Sequence, residues 1–261
     1  MKKRNSGGVQ GRLTIAAILA LGIGMAAPFA GPVQAQFNVG NVIDSAKKVA
    51  DAASVSDEEM TFFFSQMAED MDSKNPVAGP DDPYGQRLAN LTEGLESYDG
   101  LDLDIKAYLV KDVNAFAMGD GTVRIMAGLM DEFNDDEVRC VIGHEIGHVK
   151  LEHGQKRMRR ALQTDAAMSV AGTASGDVRR IADSRLGELF GNVVSAQHSQ
   201  KAETKSDDYA LEFMAANGYD AQACATAMDK LAAMSAPGGI ELLKTHPSPA
   251  KRAKRMRKKL S

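Results

Sequence analysis

The stretch VIGHEIGHV, residues 141–149, sets two histidines four positions apart with a glutamate beside the first. On a helix that spacing sends both imidazoles, His144 and His148, out of one face, where a single metal ion can take a nitrogen from each. Glu145 is rotated off the pair, yet its side chain reaches a water bound to the same ion. Zinc held this way lowers the pKa of its water towards neutrality, and the glutamate takes the proton as the oxygen attacks a carbonyl. The chemistry implied is hydrolysis. Two surface histidines on an ordinary helix are the rival reading, and the flanking residues disfavour it. Val141, Ile142, Ile146 and Val149 mark a buried helix, where His-Glu-His is costly unless something compensates it.

A catalytic zinc needs a third protein ligand and an open fourth position. On a continuous helix at about 100° per residue, His153 points roughly opposite His144 and reads as a structural histidine near the helix end. A better candidate lies in KAETKSDDYALEF, residues 201–213, where Glu203 and Asp207 are again i, i+4. A second helix crossing the first would bring Glu203 to the metal, with Asp207 one turn on to orient a ligand histidine from behind. The competing view is a solvated acidic face, since Asp208 and Glu212 lie close by. His198 is out of phase with Glu203 and has no supporting motif. His246 stands in THPSP, a proline-fixed loop rigid enough to hold an imidazole against an oxyanion. From its own residues it reads as an exposed loop histidine.

These side chains need two long helices and a scaffold to position them. Ser56 with Glu59 forms a capping box, opening a helix whose apolar side carries Met60, Phe63, Phe64, Met67 and Met71. After the turn-rich KNPVAGPDDP, residues 74–83, a second helix runs through Leu88, Leu91 and Leu95. Past Asp99-Gly100 the period falls to two in LDLDIKAYLV, and NAFAMGDGTVRIMAGLM reads as strand, Gly-Asp-Gly turn, strand. Asn134 with Glu137 is another capping box. It opens the HExxH helix, expected to end near Gly154 or to run on into the basic residues behind it. Further helices are expected from Lys201 to Ala216, stopped by Asn217-Gly218, from Asp220 to Met234, and after THPSP. Thr164 to Asn192 carries no readable period. The class is α+β, mostly helical, with a small sheet.

The chain of 261 residues, 44% hydrophobic and 25% charged, fits one large domain with appendages. With no tryptophan and 14 methionines, its core should be aliphatic and methionine-rich. Lys2, Lys3, Arg4 and Arg12 precede an uncharged run, Leu13 to Ala30, and small residues at Val33 and Ala35. This is a secretory signal peptide pattern, expected to be cleaved after Ala35, and its lack of cysteine excludes a lipid-modified N-terminus. An uncleaved membrane anchor is the rival reading, weakened by the short span and by its glycines, alanines and Pro28. The organisation is therefore a leader (1–35), an N-terminal helical segment (36–82) and a main domain (83–261). The exported part keeps 27 basic against 35 acidic residues, which argues against a nucleic-acid partner. KRAKRMRKKL, residues 251–260, is the exception; it reads as a solvated final helix and as the one place where lipid contact is open to the chain. Cys140 and Cys224 are either one bridge or two free buried thiols, and the sequence leaves both open.

Taken in order, NAFAMGDGTVRIMAGLM, DDEVRCVIGHEIGHVKLEHG, AETKSDDYALEFMAANGYD and THPSPAKRAKRM resemble the blocks of the HtpX/Oma-type gluzincin metallopeptidases, most of all their soluble periplasmic LoiP/YggG-like branch. The resemblance spans roughly Pro83 to Arg257. It implies a zincin-like fold, one zinc ion per chain held by His144, His148 and Glu203, and Glu145 as general base. It also implies Asp207 behind a ligand histidine and His246 as transition-state stabiliser, against the plain reading of that loop. Asn114, Ala115 and Phe116 would form the edge strand on which substrate backbone lies, since an exposed edge offers unpaired groups to an extended peptide. Ser206 stands where the family often has Ala, a change that should leave the metal undisturbed. Membrane-embedded relatives carry hydrophobic spans after the HExxH helix, whereas residues 164–192 are polar here. The implied activity is that of a periplasmic zinc endopeptidase acting on extended, unfolded or damaged polypeptides, with quality control as its role. A non-catalytic metal-binding or chaperone-like module is the alternative, and Glu145 speaks against it, because pure binding needs no base.

Overall fold

The structure, a computed structural model, describes residues 56–170, 190–193, 195–235 and 239–261. The leader, the stretch up to Val55 and most of residues 164–192 lie outside the described residues. In chain order come α1 (Asp57–Lys74), α2 (Pro83–Leu91), β1 (Ser97–Tyr98), β2 (Leu101–Asp102), β3 (Asp104–Tyr108), β4 (Ala115–Ala117) and β5 (Thr122–Met126). There follow α3 (Ala127–Glu132), α4 (Asp135–Lys150), α5 (His153–Val170), α6 (Gln200–Ala216), α7 (Gln222–Ala233), α8 (Glu241–Thr245) and α9 (Pro249–Leu260). Among the described residues no helix is long and apolar enough to cross a membrane.

Local chemistry sets the element ends. Both capping boxes form: Ser56 Oγ accepts from Glu59 N at 3.1 Å, and Asn134 Oδ1 accepts from Glu137 N at 2.9 Å. In each, the glutamate carboxylate accepts in return from the cap's own N–H, so two otherwise unpaired donors are satisfied. Two boundaries differ from expectation. The second sheet strand stops at Met126, because Ala127 begins a helix instead of continuing the strand. The HExxH helix stops at Lys150, not near Gly154, and the basic stretch is a separate helix. Glu152 takes a left-handed φ of 56° between them, a conformation that ends helices and re-aims the chain.

The three-stranded sheet has the order β3–β5–β4, with β3 parallel and β4 antiparallel to β5. β4 is therefore an edge strand. The Asn114 carbonyl and the Met118 N–H both bond to β5, so the alternation of a strand turns the backbone of Ala115 and Ala117 outward. The main core packs β4 and β5 against α4, α4 against α6 and α7, and α7 against α9. A second core joins α1 to α5 and to Phe190, with Met118 of the β4–β5 turn at its rim. Cys140 and Cys224 are bridged, tying α4 to α7 across 84 positions of sequence.

Arg124 on β5 is fully buried and its guanidinium is shared between Asp72 of α1 and Asp104 of β3. Burial alone would raise the Asp72 pKa, but hydrogen bonds from Arg124, Tyr108 and Lys106 outweigh it and bring it down to about 2. A lowered carboxylate pKa contributes stability that is present above the unfolded value near 4 and is lost as the pH falls towards 2. Asp72→Asn should therefore flatten the stability–pH profile in that window. At pH 7 it should cost towards the low end of roughly 3–5 kcal/mol, because Asp104 still faces Arg124. Urea unfolding of both proteins between pH 2 and 7 measures both effects.

Candidate metal centre

α4 and α6 cross closely because α4 carries glycine at two contact points. A Cβ on Gly143 would lie 2.5 Å from the Phe213 ring, and one on Gly147 would lie 3.1 Å from Tyr209 Cβ and 3.2 Å from Ser206 Cα. The two glycines flank the histidines and let α6 come near enough for Glu203 and Asp207 to reach them. Gly143→Ala gains about 1 kcal/mol of helix propensity. It is nonetheless expected to lower Tm, because overpacking a close helix contact costs about 1–3 kcal/mol. Calorimetry of the metal-free variant checks the sign.

His144, Glu145 and His148 of α4, Glu203 and Asp207 of α6, His246 and Arg252 are all buried. The ligating atoms of His144, His148, Glu203 and His246 lie within 4.8 Å of one another. His148 Nε2 is 3.0 Å from His144 Nε2 and 3.4 Å from Glu203 Oε1, and His144 Nε2 is 3.8 Å from Glu203 Oε2. Tetrahedral zinc with bonds of about 2.0–2.1 Å separates its ligand atoms by about 3.3 Å, so the spacing suits the ion. Charge suits it too. Three carboxyl groups, Glu145, Glu203 and Asp207, face one buried guanidinium, Arg252, a donor set that suits a cation. Glu145 Oε1 is buried with no hydrogen-bond partner, as expected of a group awaiting water or substrate.

Behind the cluster, His144 Nδ1 lies 3.1 Å from Asp207 Oδ1, which leaves Nε2 free for a metal. Arg252 grips Asp207 through Nη2 at 2.5 Å and Nε at 3.0 Å, and its Nη1 is 2.6 Å from Glu203 Oε2. Burial works against ionising Asp207 and Glu203, but Arg252 beside the first and the histidines around the second hold both pKa values below the ordinary range. For His246 burial favours the neutral ring, yet Glu145 and Glu203 raise its pKa on balance. Burial pushes His148 well below its usual value.

Several expectations change. His246 is buried in the cluster and not exposed on its loop, with Nδ1 3.1 Å from Glu203 Oε1 and Nε2 3.6 Å from Glu145 Oε1. The final helix is not simply solvated. Arg252 enters the site, while Arg255 and Lys259 pair with Asp208 and Arg257 with Asp229. His198, set aside for its phase, packs its ring 3.9 Å from that of His148 and 4.9 Å from that of His246. It precedes the α6 cap, so helical phase does not govern it; its N–H donates to Thr245 O and ties it to the His246 loop. Asn114, Ala115 and Phe116 lie on or beside the β4 edge.

The profile of peptidase family M48 matches residues 89–260. The metalloprotease LoiP of Escherichia coli K12 is 36% identical over 221 residues, 84% of this chain and 88% of that protein. The metalloprotease YcaL of the same strain is 31% identical over 220 residues, 84% of this chain and 87% of its own. The mitochondrial metalloendopeptidase OMA1 of Arabidopsis thaliana is 27% identical over 157 residues, 60% of this chain and 31% of that protein.

Proposed function

The chain belongs to peptidase family M48 and is a metalloendopeptidase, and from that premise we propose that it is an exported, periplasmic zinc enzyme that cuts extended, unfolded or damaged polypeptides in protein quality control. The observation that carries the reading is the buried His144–His148–Glu203 set with Glu145 beside it, whose Oε1 has no hydrogen-bond partner. Zinc, when bound by those three side chains, supplies Lewis acidity to the scissile carbonyl and brings water within reach of deprotonation near neutral pH.

The remaining work falls to the chain's own residues. Substrate backbone pairs with the outward groups of β4: of the expected Asn114–Phe116 strip only Ala115 faces outward, its N–H already donating to Asn114 Oδ1, and Ala117 joins it. Glu145 accepts a proton from the attacking water and passes it to the leaving nitrogen, so a C–O bond forms as the C–N bond breaks. His246 Nε2 donates a hydrogen bond to the oxygen that gains charge. Asp207, anchored by Arg252, holds His144 in the tautomer that presents Nε2. Export rests on the leader-like N-terminus, and lipid contact, if made, uses the exposed lysines of α9. Nothing in the charge balance suits a nucleic acid.

A second reading is supported by the place of His246 Nδ1, 3.4 Å from His144 Nε2. In that reading four protein ligands close the site, and peptide must displace the imidazole before hydrolysis.

Chelator-stripped residues 36–261 are expected to leave an unfolded test protein intact and to cut it at internal bonds once zinc is restored. Mass spectrometry of the fragments reads the outcome. If stoichiometric zinc binds and no cutting follows, hydrolysis fails in both readings and a non-catalytic metal site stands; if zinc does not bind, the site itself fails.

A further inference from the structure

His148 presents its two ring nitrogens to different partners. Nε2 faces His144 and Glu203, whereas Nδ1 lies 3.1 Å from Nδ1 of His153. A continued helix would have carried His153 about 140° around the axis from His148. The left-handed Glu152 breaks the helix, and α5 restarts at His153 with its ring directed back at α4. Two facing imidazole nitrogens hold together only if one carries a proton and the other a lone pair.

We infer that His153 is the positioning residue for His148, accepting a hydrogen bond from its Nδ1–H and so fixing the tautomer and ring angle that present Nε2 to the metal. The inference rests on the zinc site proposed above. A neutral histidine that gives Nε2 to a metal must carry its proton on Nδ1, and metal-bound histidines commonly donate that proton to an oriented acceptor. For His144 the acceptor is the Asp207 carboxylate; for His148 the partner placed at Nδ1 is His153 Nδ1. The acceptor is therefore an uncharged ring, which adds no further negative charge to a site already holding three carboxylates. Ser206 Oγ lies 3.4 Å from the same His153 nitrogen, farther than His148 Nδ1, and is the weaker contender for its one lone pair.

The geometry makes a test possible that separates hydrogen bonding from packing. In asparagine the side-chain oxygen can occupy the place of Nδ1, whereas in glutamine the amide falls near Nε2. Zinc affinity is read by competition with a chromophoric chelator for the wild type, His153→Asn, His153→Gln and His153→Leu. The expected result is a loss of about 10- to 100-fold in His153→Gln and His153→Leu, with His153→Asn within about threefold of the wild type. Unloaded proteins are first compared by thermal unfolding; should His153→Leu not fold, the Asn–Gln pair carries the comparison. Equal affinity in all variants, or equal loss in Asn and Gln, overturns the inference. Failure of the wild type itself to bind zinc would instead overturn the site on which it rests.

Discussion

Glu145→Gln is expected to abolish peptide hydrolysis while leaving metal binding intact. The amide has the size and shape of the carboxylate, so a pocket this tightly buried need not rearrange around it. What it lacks is a basic oxygen. Glu145 Oε1 is 3.6 Å from His246 Nε2 and has no hydrogen-bond partner of its own, so no structural hydrogen bond occupies that oxygen. General bases contribute about 10²–10⁴-fold to rate, and the variant should lose at least that much. Its zinc content should stay stoichiometric, since Glu145 stands outside the His144–His148–Glu203 set. Hydrolysis rate and metal content measured on one preparation decide it: retained cutting would assign the base elsewhere, and lost zinc would make Glu145 a ligand.

Arg252→Met should have the next largest effect. Its guanidinium holds Glu203 and Asp207 together inside a site with almost no water contact. Removing one partner of a buried ion pair costs about 3–5 kcal/mol, because the remaining charge stays buried. Here two carboxylates are left facing each other. The metal-free protein should take the full loss and the zinc-loaded protein less of it, since the dication supplies some of the missing positive charge. The gap in Tm between loaded and unloaded forms should therefore widen in the variant. Activity should fall about 10- to 100-fold, because a ligand and the carboxylate orienting another both lose their anchor. Arg252→Lys should not restore it, as an ammonium cannot bridge two carboxylates with a planar fork. An unchanged Tm gap would remove Arg252 from the charge balance of the site.

What could be read in the sequence was local and periodic. The capping boxes at Ser56 and Asn134, the i, i+4 pairs at His144/His148 and Glu203/Asp207, and the stop at Asn217-Gly218 each lie within one or two helical turns. What could not be read depended on distant parts of the chain or on one backbone angle. Arg252 looks like any other residue of a basic helix until the fold turns it inward, 45 positions from Asp207. Helical phase sets His198 and His153 aside only if a helix runs through them, and neither continues the helix in question. The bridge between Cys140 and Cys224 needed a Cα separation, 5.3 Å, that no count of cysteines supplies. One signal was present and unused: Gly143 and Gly147 at i, i+4 on an otherwise bulky helix mark where a second helix presses close.

Because Arg252 sits on the last helix, a chain emerging N-terminus first presents His144, Glu145, His148, Glu203 and Asp207 well before the guanidinium that neutralises the carboxylates. Until α9 has been added and docked, three carboxylates would have to be buried with no internal cation, which folding resists. The cutting apparatus is thus assembled last, and a chain interrupted short of its final helix has the reactive residues without a competent arrangement of them. Clipping α9 from a finished molecule would run the same logic in reverse, as a permanent means of disarming it.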